Sequence, residues 1–142
     1  MPCIHTAPSL RKNGDTWEKI CVGTTTSTRM DRFTPGLIGT YGVRAVIGKG
    51  GLYQGSLEAM QKYGAVYLAI VGGAAALETE QIEEVEAVYF EELHPEALYR
   101  FRVRNFGPLT VAMDSHGRHL YEEVAAGVRQ RLPEIYKKLG VA

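Results

Sequence analysis

The sequence predicts an α/β fold, a mixed sheet with flanking helices, on the basis of three observations. Residues 43–47 and 65–71 are apolar runs of strand length. Each run ends near a pair of glycines and is followed by a helical pattern, and this alternation favours parallel pairing of the strands. Residues 98–103 then alternate sides, and a turn at 105–108 leads to 109–113, which predicts an antiparallel hairpin.

The elements before the first apolar run are short. Residues 9–16 are predicted to form a polar loop, with a turn at 13–15, and residues 17–22 a strand. Thr34 and Pro35 form a helix-start signature, with threonine as N-cap and proline in the first turn. This first helix is expected to end at Gly42.

Three helices are predicted downstream. The first covers residues 52–63 and is closed by Gly64, and the second covers 74–85, followed by a strand at 85–90. The last covers 122–139, with an apolar stripe at helical spacing and a kink or break at Pro133. We therefore expect a single domain over residues 1–142, in which 122–142 is a C-terminal helical extension.

Composition narrows the class of protein. The 142 residues are 45% hydrophobic and 23% charged, with a formal net charge of zero, so no basic excess indicates nucleic acid or an anionic membrane as partner. The longest apolar stretch, 65–77, contains two glycines and is too short to span a bilayer. Two cysteines and no charged leader indicate reduced thiols and a cytoplasmic protein. Two cysteines cannot hold a zinc ion or an iron–sulfur cluster within the chain, so no metal ligands are assigned.

The segment richest in candidate ligand-binding side chains is residues 23–31, Gly-Thr-Thr-Thr-Ser-Thr-Arg-Met-Asp. A hydroxyl-rich turn after a strand can present N–H groups and hydroxyls to an anion, and Arg29 can grip a carboxylate through two parallel hydrogen bonds. The alternative is a loop whose hydroxyls cap the next helix. Lys49 lies in a glycine-rich turn that lets backbone approach a ligand, although an exposed turn lysine explains it equally well. The spacing is not that of a P-loop.

Three other groups have structural explanations. The segment 72–76, Gly-Gly-Ala-Ala-Ala, suits a tight strand-to-helix turn because the dinucleotide-binding spacing is absent. His116 and His119, beside Asp114, have a spacing seen in metal sites but are expected to be solvated turn residues. Arg100, Arg102 and Arg104 share one strand face, which is expected to be solvated.

Several motifs together resemble the C-terminal, or β, part of class I fumarases and L-tartrate dehydratases. Residues 23–31 are similar to the family's Gly-Pro-Thr-Thr-(Ser/Ala)-x-Arg-Met-Asp, and Ile47-Gly48-Lys49-Gly50 matches its Ile-Gly-Lys-Gly. Further matches lie at 65–75, 91–99 and 110–117, in order, so that the resemblance covers residues 4–121.

The resemblance implies a swivelling β/β/α domain and a hydro-lyase reaction, the reversible hydration of fumarate to L-malate. The alternatives are an L-tartrate dehydratase β subunit and a non-catalytic binding or scaffold paralogue of the same fold. The family uses a [4Fe–4S] cluster, which the resemblance places on a partner α subunit in a homodimeric or heterotetrameric complex. No nucleic acid or membrane partner is implied.

Carried over by position, Thr25 matches the catalytic threonine that moves the carbon-bound proton. Arg29 and Lys49 match the residues that hold the substrate carboxylates, and Thr24 and Thr26 complete the substrate-binding loop. The sequence departs from the family at Thr24, where fumarases have proline, and at Thr28, a form closer to tartrate dehydratases. The family's upstream Arg-Asp-x-x-His segment is not in this sequence. It is expected to lie upstream in a longer chain, to come from another polypeptide, or to be lost in a reduced paralogue.

Overall fold

A computed structural model describes residues 1–73 and 75–141, and the side chains of Ala75 and Ala76 lie outside that description. The strands are β1 (Pro2–Ile4), β2 (Ser9–Asn13), β3 (Thr16–Cys21), β4 (Ala45–Gly48), β5 (Val66–Ala69), β6 (Ile82–Tyr89), β7 (Leu98–Val103) and β8 (Thr110–Met113). The helices are α1 (Thr34–Gly39), α2 (Gln54–Tyr63), α3 (Ala75–Gln81) and α4 (Leu120–Leu139). Two 3₁₀ segments, Ser27–Phe33 and Glu91–Glu96, complete the order.

A four-stranded mixed sheet in the order β1-β4-β5-β8 organises the molecule. β1, β4 and β5 are parallel, and β8 runs antiparallel to β5. Side chains from β4, β5 and β8 form a core with α1 and α2, whose fully buried members include Ile38, Val46, Met60, Tyr67 and Met113. The predicted α/β class and the parallel pairing of the two apolar runs are confirmed.

Two antiparallel ribbons accompany this sheet, β2 with β3 and β6 with β7. The predicted polar loop at 9–16 is therefore wrong, because residues 9–13 form a strand that leads into the turn. The predicted hairpin of 98–103 with 109–113 is also wrong, since β7 pairs with β6 and β8 joins β5. Burial explains the second error: Ala112 and Met113 are buried in the core, whereas the arginines of β7 meet carboxylates on β6.

The helices follow the predicted pattern with shifted ends. α2 is closed by Gly64 in the left-handed conformation, as predicted. The predicted helix 74–85 begins at a residue outside the described range, and α3 ends at Gln81 because Ile82 and Val85 are buried side chains of β6. α1 ends three residues before the predicted Gly42.

α4 differs from the other helices because none of its residues is buried. It continues through Pro133, so the predicted break does not occur, and Gly140 closes it in the left-handed conformation. Beyond Tyr121, whose ring lies 6.4 Å from that of Tyr67, the apolar stripe of α4 is exposed except at Leu132, which is half-buried. Across the described ranges, neither this helix nor any other has the length and apolar character required to cross a membrane.

Candidate functional site

The hydroxyl-rich loop, residues 23–27, crosses the carboxyl end of the parallel strands. Thr26 pairs with Lys49 in an isolated parallel bridge, and the N–H of Ser27 donates to the carbonyl of Lys49 at 2.8 Å. On the other side, the N–H of Thr25 donates to the carbonyl of His5 at 2.9 Å. The loop thus lies between the ends of β1 and β4, and the structure brings the two predicted motifs together.

Gly48 allows this close approach. A Cβ at this position would lie 2.0 Å from the Oγ of Ser27, so any side chain would displace the loop. Ser27 is fully buried, and its Oγ accepts a hydrogen bond from the hydroxyl of Tyr67 at 2.9 Å. Burial raises the pKa of Tyr67 to about 12, so the phenol remains a neutral donor. Gly48 and Ser27 therefore have a structural explanation.

The threonine hydroxyls have a different environment. Thr26 occupies the N-cap position of the first 3₁₀ segment but makes no side-chain capping bond, so the capping alternative is wrong for this residue. Thr25 is half-buried and Thr26 is exposed. Within the described part of the chain, neither hydroxyl makes a hydrogen bond. Thr24 is buried, at 7% exposure, and contributes its backbone N–H to an internal contact.

The two predicted cations are placed differently. Lys49 is half-buried beside the loop, and over residues 1–73 and 75–141 it makes no ion pair. Arg29 lies on the first 3₁₀ segment, exposed, with a guanidinium nitrogen 3.6 Å from a carboxylate oxygen of Glu96. Both side chains of this pair are more than half exposed, so the pair is weak and open to competition from another carboxylate.

Asp31, which closes the hydroxyl motif, is structural. Its Oδ1 accepts from the N–H of Tyr53 and from the Oγ of Ser56, both at 2.7 Å. Tyr53 is the N-cap residue of α2, so Asp31 satisfies the start of that helix from another part of the chain. This contact joins the 3₁₀ segment that carries Arg29 to the helical layer.

Two buried polar residues lie against the loop and were missed in the sequence. Glu78 of α3 is 3% exposed, and its Oε2 accepts from the N–H of Thr24 at 2.9 Å. Burial raises the pKa of Glu78, against smaller opposing effects of the Thr24 N–H and the charge of Lys49. His5 is 4% exposed, and neither ring nitrogen has a hydrogen-bond partner among the residues that the structure describes. Burial lowers the pKa of His5. No motif marks either residue, because their significance depends on tertiary packing.

The other groups singled out in the sequence lie apart from the loop. His119 is the N-cap of α4: its Nδ1 accepts from the N–H of Glu122 at 3.3 Å, and its Nε2 lies 3.1 Å from the carbonyl of Leu52. The expectation of a solvated His119 is thus wrong, while His116 is exposed. The arginine face is solvated as predicted, with each arginine paired to a β6 carboxylate. In the segment 72–76, Ala74 and the side chains of the next two alanines lie outside the described residues.

The donor set of this chain does not fit an iron–sulfur cluster. Cys3 is half-buried on β1, with its pKa raised by burial, and Cys21 is exposed at the end of β3. Among the residues that the structure describes, no three His, Cys, Asp or Glu side chains are grouped so as to hold a metal ion. A cluster needs three or four thiolates in one place, so these residues would not hold it.

Three named proteins are similar in sequence to this chain. A protein of Methanocaldococcus jannaschii, provisionally named L(+)-tartrate dehydratase subunit beta, is 44% identical over 92% of this chain and 68% of its own length. The L(+)-tartrate dehydratase subunit beta of Escherichia coli K12 is 45% identical over 84% of this chain and 60% of its own length. A protein of Geobacillus stearothermophilus, provisionally named fumarate hydratase class I, is 39% identical over 92% of this chain and 26% of its own length.

This chain therefore spans about two thirds of the β subunits it matches and about a quarter of the longer fumarate hydratase. The family model described as Fumarase C-terminus matches residues 3–124, which include the loop, Lys49 and the central sheet. α4 extends beyond the matched region from residue 125. The chain belongs to the fumarase C-terminus family, whose named members include subunits of hydro-lyases.

Proposed function

We propose that this chain is the β subunit, or a domain of it, of a hydro-lyase that acts on a four-carbon dicarboxylic acid. The observation that carries the proposal is the backbone bridge that joins Thr26 to Lys49. Among the described residues, the hydroxyls of Thr25 and Thr26 make no hydrogen bond and the ammonium of Lys49 makes no ion pair, so these groups are available to a ligand. A carboxylate matches that combination of donors and charge. The exposed Arg29 on the following segment provides a second cation for the second carboxylate.

Each residue then has a role in the proposal. Lys49 acts as a point charge on one substrate carboxylate. The planar guanidinium of Arg29 releases Glu96 and binds the second substrate carboxylate. Thr25 holds or moves the carbon-bound proton, which requires a strongly polarised site because a free threonine is a weak base. Thr24 and Thr26 orient the loop and bind substrate. Such positioning lowers the barrier by fixing the reacting geometry.

A partner α subunit completes the site in this proposal, because the donor set of this chain does not fit the cluster that the family uses.

Two substrates are candidates. Fumarate, hydrated to L-malate, is supported by the family description and by the name of the Geobacillus relative. L-Tartrate is supported by the names of the relatives at 44% and 45% identity.

Anaerobic co-expression with a candidate α subunit that carries the cluster cysteines tests the proposal. The complex is assayed on fumarate, L-malate and L-tartrate, and one of the three is expected to turn over. Arg29→Ala should abolish turnover and leave the thermal midpoint unchanged. Glu96→Ala is the matched control, because it removes the same ion pair but keeps the guanidinium, and it should stay active. A cluster-loaded complex that is inactive on all three substrates would refute the proposal in favour of a non-catalytic paralogue.

A further inference from the structure

Glu78 is a buried carboxylate in direct contact with the proposed substrate loop. Its side chain belongs to α3, and its Oε2 accepts from the N–H of Thr24, a residue that is itself 7% exposed. Burial of a charged group is costly unless the group is compensated. The hydrogen bond from Thr24 provides part of this compensation and links Glu78 directly to the loop.

The neighbouring residue fixes the same segment. The Oγ1 of Thr79 accepts from the N–H of Val22 at 2.8 Å, so two consecutive side chains of α3 hold the chain on both sides of Gly23. From the opposite side, the Oγ1 of Thr6 donates to the carbonyl of Gly23 at 2.8 Å. These contacts hold the start of the loop, and Glu78 is the member of the set that can change its charge.

Lys49 is the charged neighbour that interacts electrostatically with Glu78. Its ammonium favours the ionised form of Glu78 through space, although no direct ion pair joins them in the described ranges. The strands that α3 contacts, β3 and β6, carry other charges. On β3, Glu18 pairs with Arg11, whereas the half-buried Lys19 makes no ion pair among the described residues. On β6, the carboxylates pair with arginines of the ribbon and the turn after it: Glu83 with Arg104, Glu84 with Arg102, and Glu86 with Arg100. His5, on the other side of the loop, has its pKa lowered by burial, so it stays neutral at neutral pH.

An ionised Glu78 offsets the positive potential that Lys49 offers to a dianion, whereas a protonated Glu78 leaves that potential undiminished. We propose that Glu78 is a positioning residue that holds Thr24 in place and makes the affinity of the site for a dicarboxylate decrease as pH rises. This inference rests on the proposed function. Burial raises the pKa of Glu78 from the ordinary value of a glutamate, against the smaller opposing effects of the Thr24 N–H and Lys49.

The first test needs no substrate. The ¹⁵N-labelled chain is titrated from pH 4 to pH 8, and the amide shift of Thr24 is followed in the wild type, Glu78→Gln and Glu78→Asp. The Thr24 amide should titrate in the wild type and in Glu78→Asp but not in Glu78→Gln, which keeps an acceptor without a charge. A Thr24 amide that titrates identically in Glu78→Gln would overturn the inference, whether or not the proposed function is right.

The second test uses the co-expressed complex, with KM and kcat measured over the same range, from pH 4 to pH 8. Glu78→Gln should lower KM at pH 8 about three- to ten-fold and flatten its pH dependence, with kcat within two-fold. Glu80→Gln, an exposed carboxylate on the same helix, should match the wild type. A KM profile in Glu78→Gln parallel to the wild type would overturn the inference. An inactive wild-type complex would overturn the proposed function and the pH-dependent affinity, and the Thr24 titration would still decide whether Glu78 positions the loop.

Discussion

The carboxyl end of the parallel strands and the β6–β7 ribbon both carry clustered charge, but they hold it differently. On the ribbon, exposed arginines pair with exposed glutamates on the neighbouring strand, so the charges neutralise one another. At the sheet end, Lys49 makes no ion pair with any residue that the structure describes, and the loop beside it is held by hydrogen bonds from Thr6, Glu78 and Tyr67. The paired charges explain why the arginine face is a solvated surface, whereas the sheet end is the place where our proposal puts a ligand.

Gly48→Ala should give the largest effect, because a Cβ at this position overlaps the Oγ of Ser27. Overpacking of this kind costs on the order of 3 kcal/mol of unfolding free energy and shifts the loop. Urea denaturation measures the cost. Gly55→Ala in α2 is the matched control, since its Cβ meets nothing within 4 Å and helix propensity should stabilise the protein by about 0.5–1 kcal/mol. Equal stabilities of the two variants would show that the loop is not packed as described.

Tyr67→Phe should have the next largest effect, because it leaves the buried hydroxyl of Ser27 without its donor. The expected loss is about 1–3 kcal/mol at pH 7. Since burial raises the pKa of Tyr67 from 10.0 to about 12, the unfolded chain releases this proton first between those values. The wild type should therefore lose its advantage over the variant from pH 10 towards pH 12. Tyr41→Phe, at a residue that is 75% exposed, should change neither the unfolding free energy at pH 7 nor its dependence on pH.

His5→Leu should show a smaller effect of opposite sign. Within the described part of the chain, the buried imidazole has no hydrogen-bond partner, so an apolar side chain of similar volume should leave stability at pH 7.5 equal or slightly higher. Because burial lowers the pKa of His5 from 6.5, the unfolded chain binds a proton before the folded one as pH falls below about 6.5. The wild type should then lose stability relative to the variant, as measured by denaturation from pH 7.5 to pH 5. A difference that does not change with pH would contradict this account of His5.

Arg102→Met on the ribbon should have the smallest effect. Arg102 pairs with Glu84 at 2.9 Å and with Glu86 at 3.0 Å, but its side chain is more than half exposed. Exposed pairs contribute about 0–1 kcal/mol, and salt reduces the contribution further. Thermal unfolding at low and high salt measures this. A loss well above 1 kcal/mol would show that the ribbon is not the solvent-screened surface described.

The sequence predicted those parts of the fold that depend on local pattern. The apolar strands that end at glycines and the closure of α2 at Gly64 were predicted correctly. These features depend on hydrophobic periodicity, segment length and the conformational freedom of glycine, all of which are set by residues close together in the sequence. Strand partners were harder. The pairing of β8 with β5 instead of β7 depends on the burial of Ala112 and Met113 in a core formed from distant residues.

The candidate site divides in the same way. The resemblance implied that residues 23–27 and Lys49 serve one site, and the backbone bridge between them is present in the structure. No local pattern predicts this bridge, because residues 23–27 follow β3 of the antiparallel β2–β3 ribbon and Lys49 follows β4 of the central sheet. Glu78 and His5 could not be found in the sequence, because a glutamate in a short helix and a histidine after a strand are ordinary residues until packing buries them against the loop. Arg29 remains a proposed ligand group whose present contact is Glu96.

The most direct test of the central claim compares Lys49→Met with Arg102→Met in the co-expressed complex, using steady-state kinetics on the substrate that turns over. If the sheet end grips a dicarboxylate, loss of the Lys49 charge should raise KM by about ten- to one hundred-fold, the equivalent of one charged hydrogen bond. Arg102→Met, which removes a charge already paired on the ribbon, should leave KM within two-fold of the wild type. Equal KM values for Lys49→Met and the wild type would contradict the claim that this end of the sheet holds the substrate.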